Sequence, residues 1–247
     1  MERSEKIPAI VIRSERFREK DRKLTLLSPT DGIFGMTVYG AQKSRKCVKA
    51  ALLTEALFTV YHNRERNQRS LTDLDVISVH DEVLSSLEGI FTSSLMCELA
   101  LMYKGESYQG LYELFTSVLD ELTAENWRVS AIQYMIRYLM LSGLFPDLET
   151  CPVCSRPYRD DEVLGFSASY SVPCCPECDT MKNILILPPN ARAYLRDSAR
   201  VSFARAIGFG ISSTQSSRIL RYMLRYTSLA LGCELKVAQS ALLNSIY

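Results

Sequence analysis

From Ile7 to His80 the apolar positions fall in short runs rich in β-branched and aromatic residues, separated by polar, turn-forming clusters. The runs Ile7–Ile12, Lys23–Leu27, Ile33–Gly40, Leu53–Tyr61 and Leu71–Val79 predict five strands. Ser28-Pro29-Thr30-Asp31-Gly32 predicts a tight turn between the second and third, since proline fixes φ and glycine tolerates positive φ. Five strands in so short a stretch suggest a small barrel. An OB-type barrel has this size, and its open face commonly seats oligonucleotides. An SH3-like barrel fits the same count, so the strands alone leave function open.

Beyond Asp81 the period becomes helical. Leu111, Leu114, Phe115, Val118, Leu119 and Leu122 follow i, i+3, i+4, i+7, i+8, i+11, the apolar stripe of an amphipathic helix. A second helix is expected from about Asn126 to Ser142, with Trp127, Ile132, Met135, Ile136 and Leu139 on one face and Gly143 as its stop. An earlier one is expected over Val83 to Lys104 and a last one over Thr214 to Leu231, capped by Ser212 or Ser213. The expected fold is therefore α+β, with residues 1–80 a five-stranded OB-type nucleic-acid-binding domain and residues 81–247 a helical domain. No period of repeat length recurs, which excludes a solenoid or propeller.

The 247 residues carry 47% hydrophobic side chains and balanced charge, 29 basic against 28 acidic, which excludes disorder. The balance hides an asymmetry. Residues 1–70 hold 15 Lys and Arg against 8 Asp and Glu, a net of +7, whereas residues 71–247 hold 14 against 20, a net of −6. A basic module joined to an acidic one points to a polyanionic partner for the first. The segment after Met1 lacks the apolar core of a secretion signal, and no run approaches bilayer-spanning length, so a cytoplasmic protein with no membrane association is expected.

The most specific signal interrupts the helical half. Cys151-Pro152-Val153-Cys154 is answered, 20 residues later, by Cys175-Pro176-Glu177-Cys178. Two C-x-x-C knuckles joined by a hairpin-length span bring four sulfurs into the tetrahedron that Zn²⁺ prefers, so a zinc-ribbon-like insertion is expected at about residues 148–182. Iron bound by four thiolates would use the same ligands. Cys174 offers an alternative register to Cys175, although C-x-x-C geometry favours Cys175. Cys47, Cys97 and Cys233 are scattered and fit free thiols in a reducing compartment. Four thiolates leave no open position for water, so the ion is expected to be structural.

Catalytic signatures are missing: no phosphate-binding, dinucleotide-binding or nucleophile-elbow segment occurs. The two histidines, His62 and His80, have no partner at triad or metal-ligand spacing and are expected at strand-end surfaces; Asp160-Asp161-Glu162 and Asp120-Glu121 read as solvated acidic faces. No enzyme is expected. Two basic clusters fall in the barrel: Arg13, Arg16, Arg18, Lys20, Arg22 and Lys23 between the first two strands, and Lys43, Arg45, Lys46 and Lys49 after the third. Both read as loops able to border one groove and neutralise phosphates without reading bases. Phe17 and Tyr39 offer stacking surfaces for unpaired bases, with packing in the core or at a sheet edge as the other role for each. Arg218, Arg221 and Arg225 form a third stripe on the last helix, beside apolar Ile219, Tyr222, Met223 and Tyr226, a pattern that suits an acidic peptide with a hydrophobic end and equally a solvent-facing row on a surface helix.

Taken together, these pieces resemble the bacterial RecO family of DNA repair and recombination mediators. The resemblance rests on Ala9-Ile10-Val11-Ile12-Arg13, Asp21-Arg22-Lys23-Leu24-Thr25-Leu26, Asp31-Gly32-Ile33, Gly40-Ala41-Gln42-Lys43-Ser44-Arg45, the paired C-x-x-C motifs, and Leu231-Gly232-Cys233-Glu234-Leu235-Lys236-Val237, in that order. It implies an OB fold, a helical C-terminal domain, and a zinc element that some relatives have lost. It also implies a non-catalytic activity in the RecF pathway, at the bacterial nucleoid. The family's activity is binding single- and double-stranded DNA, annealing complementary strands and, with RecR, helping RecA load onto strands coated by single-strand-binding protein (SSB). By position, Lys43, Arg45 and Lys46 match the family's basic loop, and Arg13, Arg22 and Lys23 its first-strand region. Gln42 replaces the usual basic residue there, and Cys47 and Lys49 follow differently. The acidic tail of SSB is a family partner, for which the arginine stripe is the candidate surface. Two readings of other classes remain: a zinc-ribbon accessory factor in transcription or translation, and a metal-dependent nuclease.

Overall fold

The computed structural model describes residues 4–41, 50–63, 68–182 and 184–239. The five strands are β1 (Ser4–Phe17), β2 (Asp21–Ser28), β3 (Gly32–Val38), β4 (Glu55–Asn63) and β5 (Gln68–Ser78). They close into a barrel in the order β1-β2-β3-β5-β4, with β4 returning to β1. All neighbours are antiparallel except β3 and β5, whose Thr37 and Ser70 pair in parallel. Insertion of β5 between β3 and β4 is the OB arrangement, which sets the SH3-like alternative aside.

Period-two alternation makes the interior. Ile7, Ala9 and Val11 of β1, Leu24 and Leu26 of β2, Met36 and Val38 of β3, Ala56, Phe58 and Val60 of β4, and Leu74 of β5 form one buried cluster. Each larger side chain there contributes about 1.5–3 kcal/mol through burial. A bulge between Val11 and Arg13 shifts the register of β1 against β2 at the point where the strand leaves the barrel interior. Gly32, at φ +66°, closes the expected Ser28–Gly32 turn; a Cβ there would lie 3.1 Å from the ring of Tyr108. That close approach seats a helix on the barrel, and Tyr112 of the same helix donates to Glu55 of β4 at 2.6 Å.

The helices are α1 (Leu87–Met102), α2 (Tyr108–Glu121), α3 (Trp127–Leu141), α4 (Pro189–Ala199), α5 (Phe203–Ile207) and α6 (Ser213–Leu231). A short hairpin, β6 (Gly165–Ser167) with β7 (Val172–Cys174), precedes α4. Two compact units result, one of residues 1–86 and 96–120, the other of residues 87–95 and 121–247. Helix α2 buries its stripe as expected. The expected helix over Val83 to Lys104 is broken: a 3₁₀ turn at Val83–Ser85 ends in an extended Ser86 before α1 begins.

Helix α3 is buried on nearly every side, not on one face, and runs through the middle of the second unit. Its one fully buried amide, Gln133, donates to the Tyr194 hydroxyl at 2.8 Å and accepts from Arg137 at 2.6 Å. Helix α6 starts with a capping box, Ser212 accepting from the Gln215 N–H, and ends at Gly232 with φ +66°. His80 is not at the surface: it is 3% exposed, with carboxylates of Glu82 and Asp120 at 3.9 and 4.0 Å. Among the described residues no helix is long and apolar enough to cross a membrane.

Candidate metal centre and nucleic-acid interface

The sulfurs of Cys151, Cys154, Cys175 and Cys178 all lie within 4.8 Å of one another. Each knuckle is wound by its backbone. Ser155, at φ +60°, donates its N–H to the Cys151 carbonyl at 2.7 Å, and Cys151 donates to the Arg156 carbonyl at 2.8 Å. In the second knuckle a 3₁₀ turn, Pro176–Cys178, carries Cys178 back so that its N–H donates to the Cys175 carbonyl at 2.9 Å. The hairpin β6–β7 joins the two, and Gly165 is the residue that allows it to close: a Cβ there would be 2.5 Å from the Asp179 side chain. Asp179 in turn accepts from the N–H groups of Phe166 and Met181.

The arrangement fits a zinc ion. Four sulfurs at about 2.3 Å from a tetrahedral centre stand about 3.8 Å apart. Cys154 and Cys175 are 3.7 Å apart. Burial alone would raise the Cys151 thiol, but backbone N–H groups of Cys175, Cys154 and Val153 aimed at its sulfur outweigh burial and bring it down to about 6. Cys174 is in the opposite condition. It is fully buried at the end of β7, and burial, reinforced by the negative charge at Cys151, pushes its thiol up to about 12. It stands outside the four-sulfur group, so the register is the C-x-x-C one. Cys97 is buried and Cys233 exposed, both apart from the centre; Cys47 lies outside the described residues.

A guanidinium links the knuckles. Arg156 donates to Glu162 at 2.6 Å and to Glu177 at 2.8 Å, and holds the Glu162 carboxyl below the usual carboxylate range. Glu162 is thus not part of a solvated acidic face; its side chain is 7% exposed. An ion held by all four sulfurs would have no open position, and what it could do is cross-link the chain.

On the barrel, the first basic cluster is not a loop. Arg13 and Arg16 lie in β1, Arg22 and Lys23 in β2, and only Arg18 and Lys20 in the turn between them, with Arg18 at φ +57°. β1 runs on beyond its pairing with β4 as far as Phe17, held by β2, which is itself paired with β3 as far as Arg22. Phe17, Arg18, Lys23, Gly35, Thr37, Tyr39, Gln68 and Arg69 line a groove of about 280 Å³ on the outer face. Phe17 is 37% and Tyr39 55% exposed, and the Lys23 side chain passes over Gly35, 3.7 Å from where a Cβ would stand. Arg69, which the strand reading passed over, lies 4.5 Å above the Phe34 ring and 3.3 Å from Asp31. Its signal was the run Arg64, Arg66, Arg69, of which the first two are outside the described residues. Arg13 pairs with Glu15, and Lys20 is exposed at the turn. Lys43, Arg45, Lys46 and Lys49 fall outside the described residues.

Residues 1–80 match the family model of the recombination protein O N-terminal domain, and residues 84–238 that of its C-terminal domain. The chain belongs to the RecO family. It is 25% identical to the DNA repair protein RecO of Desulforamulus reducens, over 90% of this chain and 88% of the relative. With the same protein of Syntrophotalea carbinolica the identity is 27%, over 88% and 87%, and with that of Anaeromyxobacter sp. strain K 30%, over 70% of each. RecO is a DNA repair and recombination family, and this chain carries both its domains. On α6, Ile219, Tyr222, Met223 and Tyr226 are buried in the core, so the apolar side of the expected stripe is covered; Arg218 and Arg225 are exposed, and Arg225 donates to the Ile184 carbonyl at 3.5 Å.

Proposed function

We propose that the protein is a non-catalytic recombination mediator that binds single- and double-stranded DNA, anneals complementary strands and, with RecR, helps load RecA onto strands coated by SSB, whose acidic tail it engages. In this reading residues 1–80 hold the DNA, residues 81–247 form the helical domain that carries the zinc insertion, and the work is done at the bacterial nucleoid. Zinc, when bound by Cys151, Cys154, Cys175 and Cys178, supplies a cross-link that holds the insertion folded.

The observation that carries the reading is the groove on the outer barrel face, where cationic Arg18, Lys23 and Arg69 stand beside exposed Phe17 and Tyr39. Two strands repel through their phosphates before any base pair forms. Lysine and arginine side chains that replace condensed counterions lower that repulsion and release the ions, so affinity falls steeply with salt. Aromatic faces hold bases unpaired without preference for sequence, which leaves their pairing edges free to meet a second strand. No bond need be made or broken, so the protein accelerates pairing by proximity alone.

The test is incubation of the purified protein with labelled complementary strands, with and without Mg²⁺, followed by the same assay on SSB-coated strands. Faster duplex formation without cleavage is expected. Cleavage in Mg²⁺ points to the nuclease reading, and no effect on either strand points to the accessory-factor reading.

A further inference from the structure

Arg192 on α4 is 4% exposed. Its Nη2 donates to the carbonyls of Arg159 at 2.6 Å and Asp160 at 3.2 Å, whereas its Nη1 is buried with no hydrogen-bond partner. Among the described residues no carboxylate pairs with it. A buried guanidinium without a counter-charge is costly, and proteins seldom keep one unless something compensates. The one group it stands over is the Tyr158 ring, at 5.5 Å, and that ring packs against Cys151, Cys174 and Cys175. The other cation of the insertion, Arg156, is already held by Glu162 and Glu177. Four thiolates around one divalent ion carry net negative charge, and no further cation of the described residues is so buried beside them.

We infer that Arg192 is the counter-charge of the loaded metal centre, acting through Tyr158 to fasten the insertion to α4. This rests on the zinc reading above. With the ion bound, the buried guanidinium stands across the Tyr158 ring from a negative cluster; with the ion gone, nothing holds that cluster assembled and α4 loosens from the insertion. Linkage makes the effect reciprocal: what the ion adds to the docking of α4, Arg192 adds to retention of the ion. Arg192 is a positioning residue here, touching no sulfur itself.

The experiment is zinc competition with a chromophoric chelator at neutral pH on the full chain, with hydrogen exchange of residues 189–199 in the zinc-loaded and zinc-stripped forms. Arg192→Met, which keeps length and removes charge, is expected to weaken zinc binding about 10-fold, and Arg192→Lys to recover most of that. In the unsubstituted chain, stripping zinc is expected to speed exchange along α4. Unchanged zinc affinity in Arg192→Met, or destabilisation of the same size with and without the ion, makes Arg192 a packing residue and overturns the inference. Exchange along α4 that ignores zinc in the unsubstituted chain overturns it without any variant. Failure of the unsubstituted chain to take up stoichiometric zinc is a different result, which removes the zinc reading itself.

Discussion

Arg16 of β1 and Arg22 of β2 stand directly opposite one another across the β1–β2 hairpin, both exposed. Like charges so placed oppose strand pairing by a few tenths to about 1 kcal/mol, a cost that a bound polyanion turns into a gain. Arg16→Glu is therefore expected to stabilise the protein by about 0.2–1 kcal/mol in chemical denaturation while weakening DNA binding. A variant that binds DNA as before would show that this hairpin takes no part in holding phosphate.

Charge and stacking in the groove are separable. Lys23→Ala is expected to lower the slope of log affinity against log salt by about 1, because one phosphate contact is lost. Phe17→Leu leaves that slope alone and is expected to cost about 1–3 kcal/mol of single-strand affinity, with duplex binding spared. Titrations with a single strand and its duplex at several salt concentrations check both.

Removing a ligand of the metal centre differs from removing its neighbour. Cys151→Ser is expected to lose the ion and to lower Tm; a loss of about 3 kcal/mol corresponds to about 6–12 °C at this size. Cys174→Ala, although it alters a fully buried thiol, is expected to retain one ion per chain, since Cys174 lies outside the four-sulfur group. Metal analysis beside thermal melting separates the cases, and an ion kept by Cys151→Ser would defeat the four-sulfur centre.

Alkaline pH should unfold the protein through its tyrosines. Burial raises the phenols of Tyr194, Tyr222 and Tyr226 above their ordinary value of 10.0. A raised folded-state value means the folded chain keeps a proton that the unfolded chain releases, so the stability present below pH 10 is lost as pH climbs toward the folded values. Each such tyrosine contributes a fall of about 1.4 kcal/mol per pH unit in that window. Tyr226→Phe loses the bond to the Leu144 carbonyl, about 1 kcal/mol at neutral pH, yet its stability should fall less steeply above pH 10. Denaturation series from pH 8 upward measure both slopes; identical slopes would mean that Tyr226 ionises in place.

What could be read from residues alone was whatever repeats with a fixed period or spacing. Alternation along Ile7–Val11 and Ala56–Val60 and the stripe on α2 survive because each element buries one face. Strand order could not be read, since nothing in β5 announces that it will lie beside β3. The ends of β1 and β2 read as a loop because residues 15–20, Arg22 and Lys23 are all exposed, so no apolar alternation marks them as strand. Helix α4 escaped for a related reason. Its buried row is Ala191, Arg192, Tyr194, Leu195 and Ser198, and an arginine and a serine in core positions conceal the stripe. The four-cysteine cluster was the most legible feature, because C-x-x-C dictates which sulfurs can meet; Arg159 and Asp160, the partners of Arg192, lie too far along the chain for spacing to reveal them.

The four sulfurs do not face the solvent equally: Cys151 and Cys175 are enclosed, Cys178 is half covered and Cys154 is open. A solvent-borne oxidant or scavenging ligand thus meets Cys154 first, and dismantling of the clasp proceeds from that rim inward. The enclosed pair would be the last to let go, so a brief insult strips one arm of the tetrahedron while the others still hold the fold in place for repair.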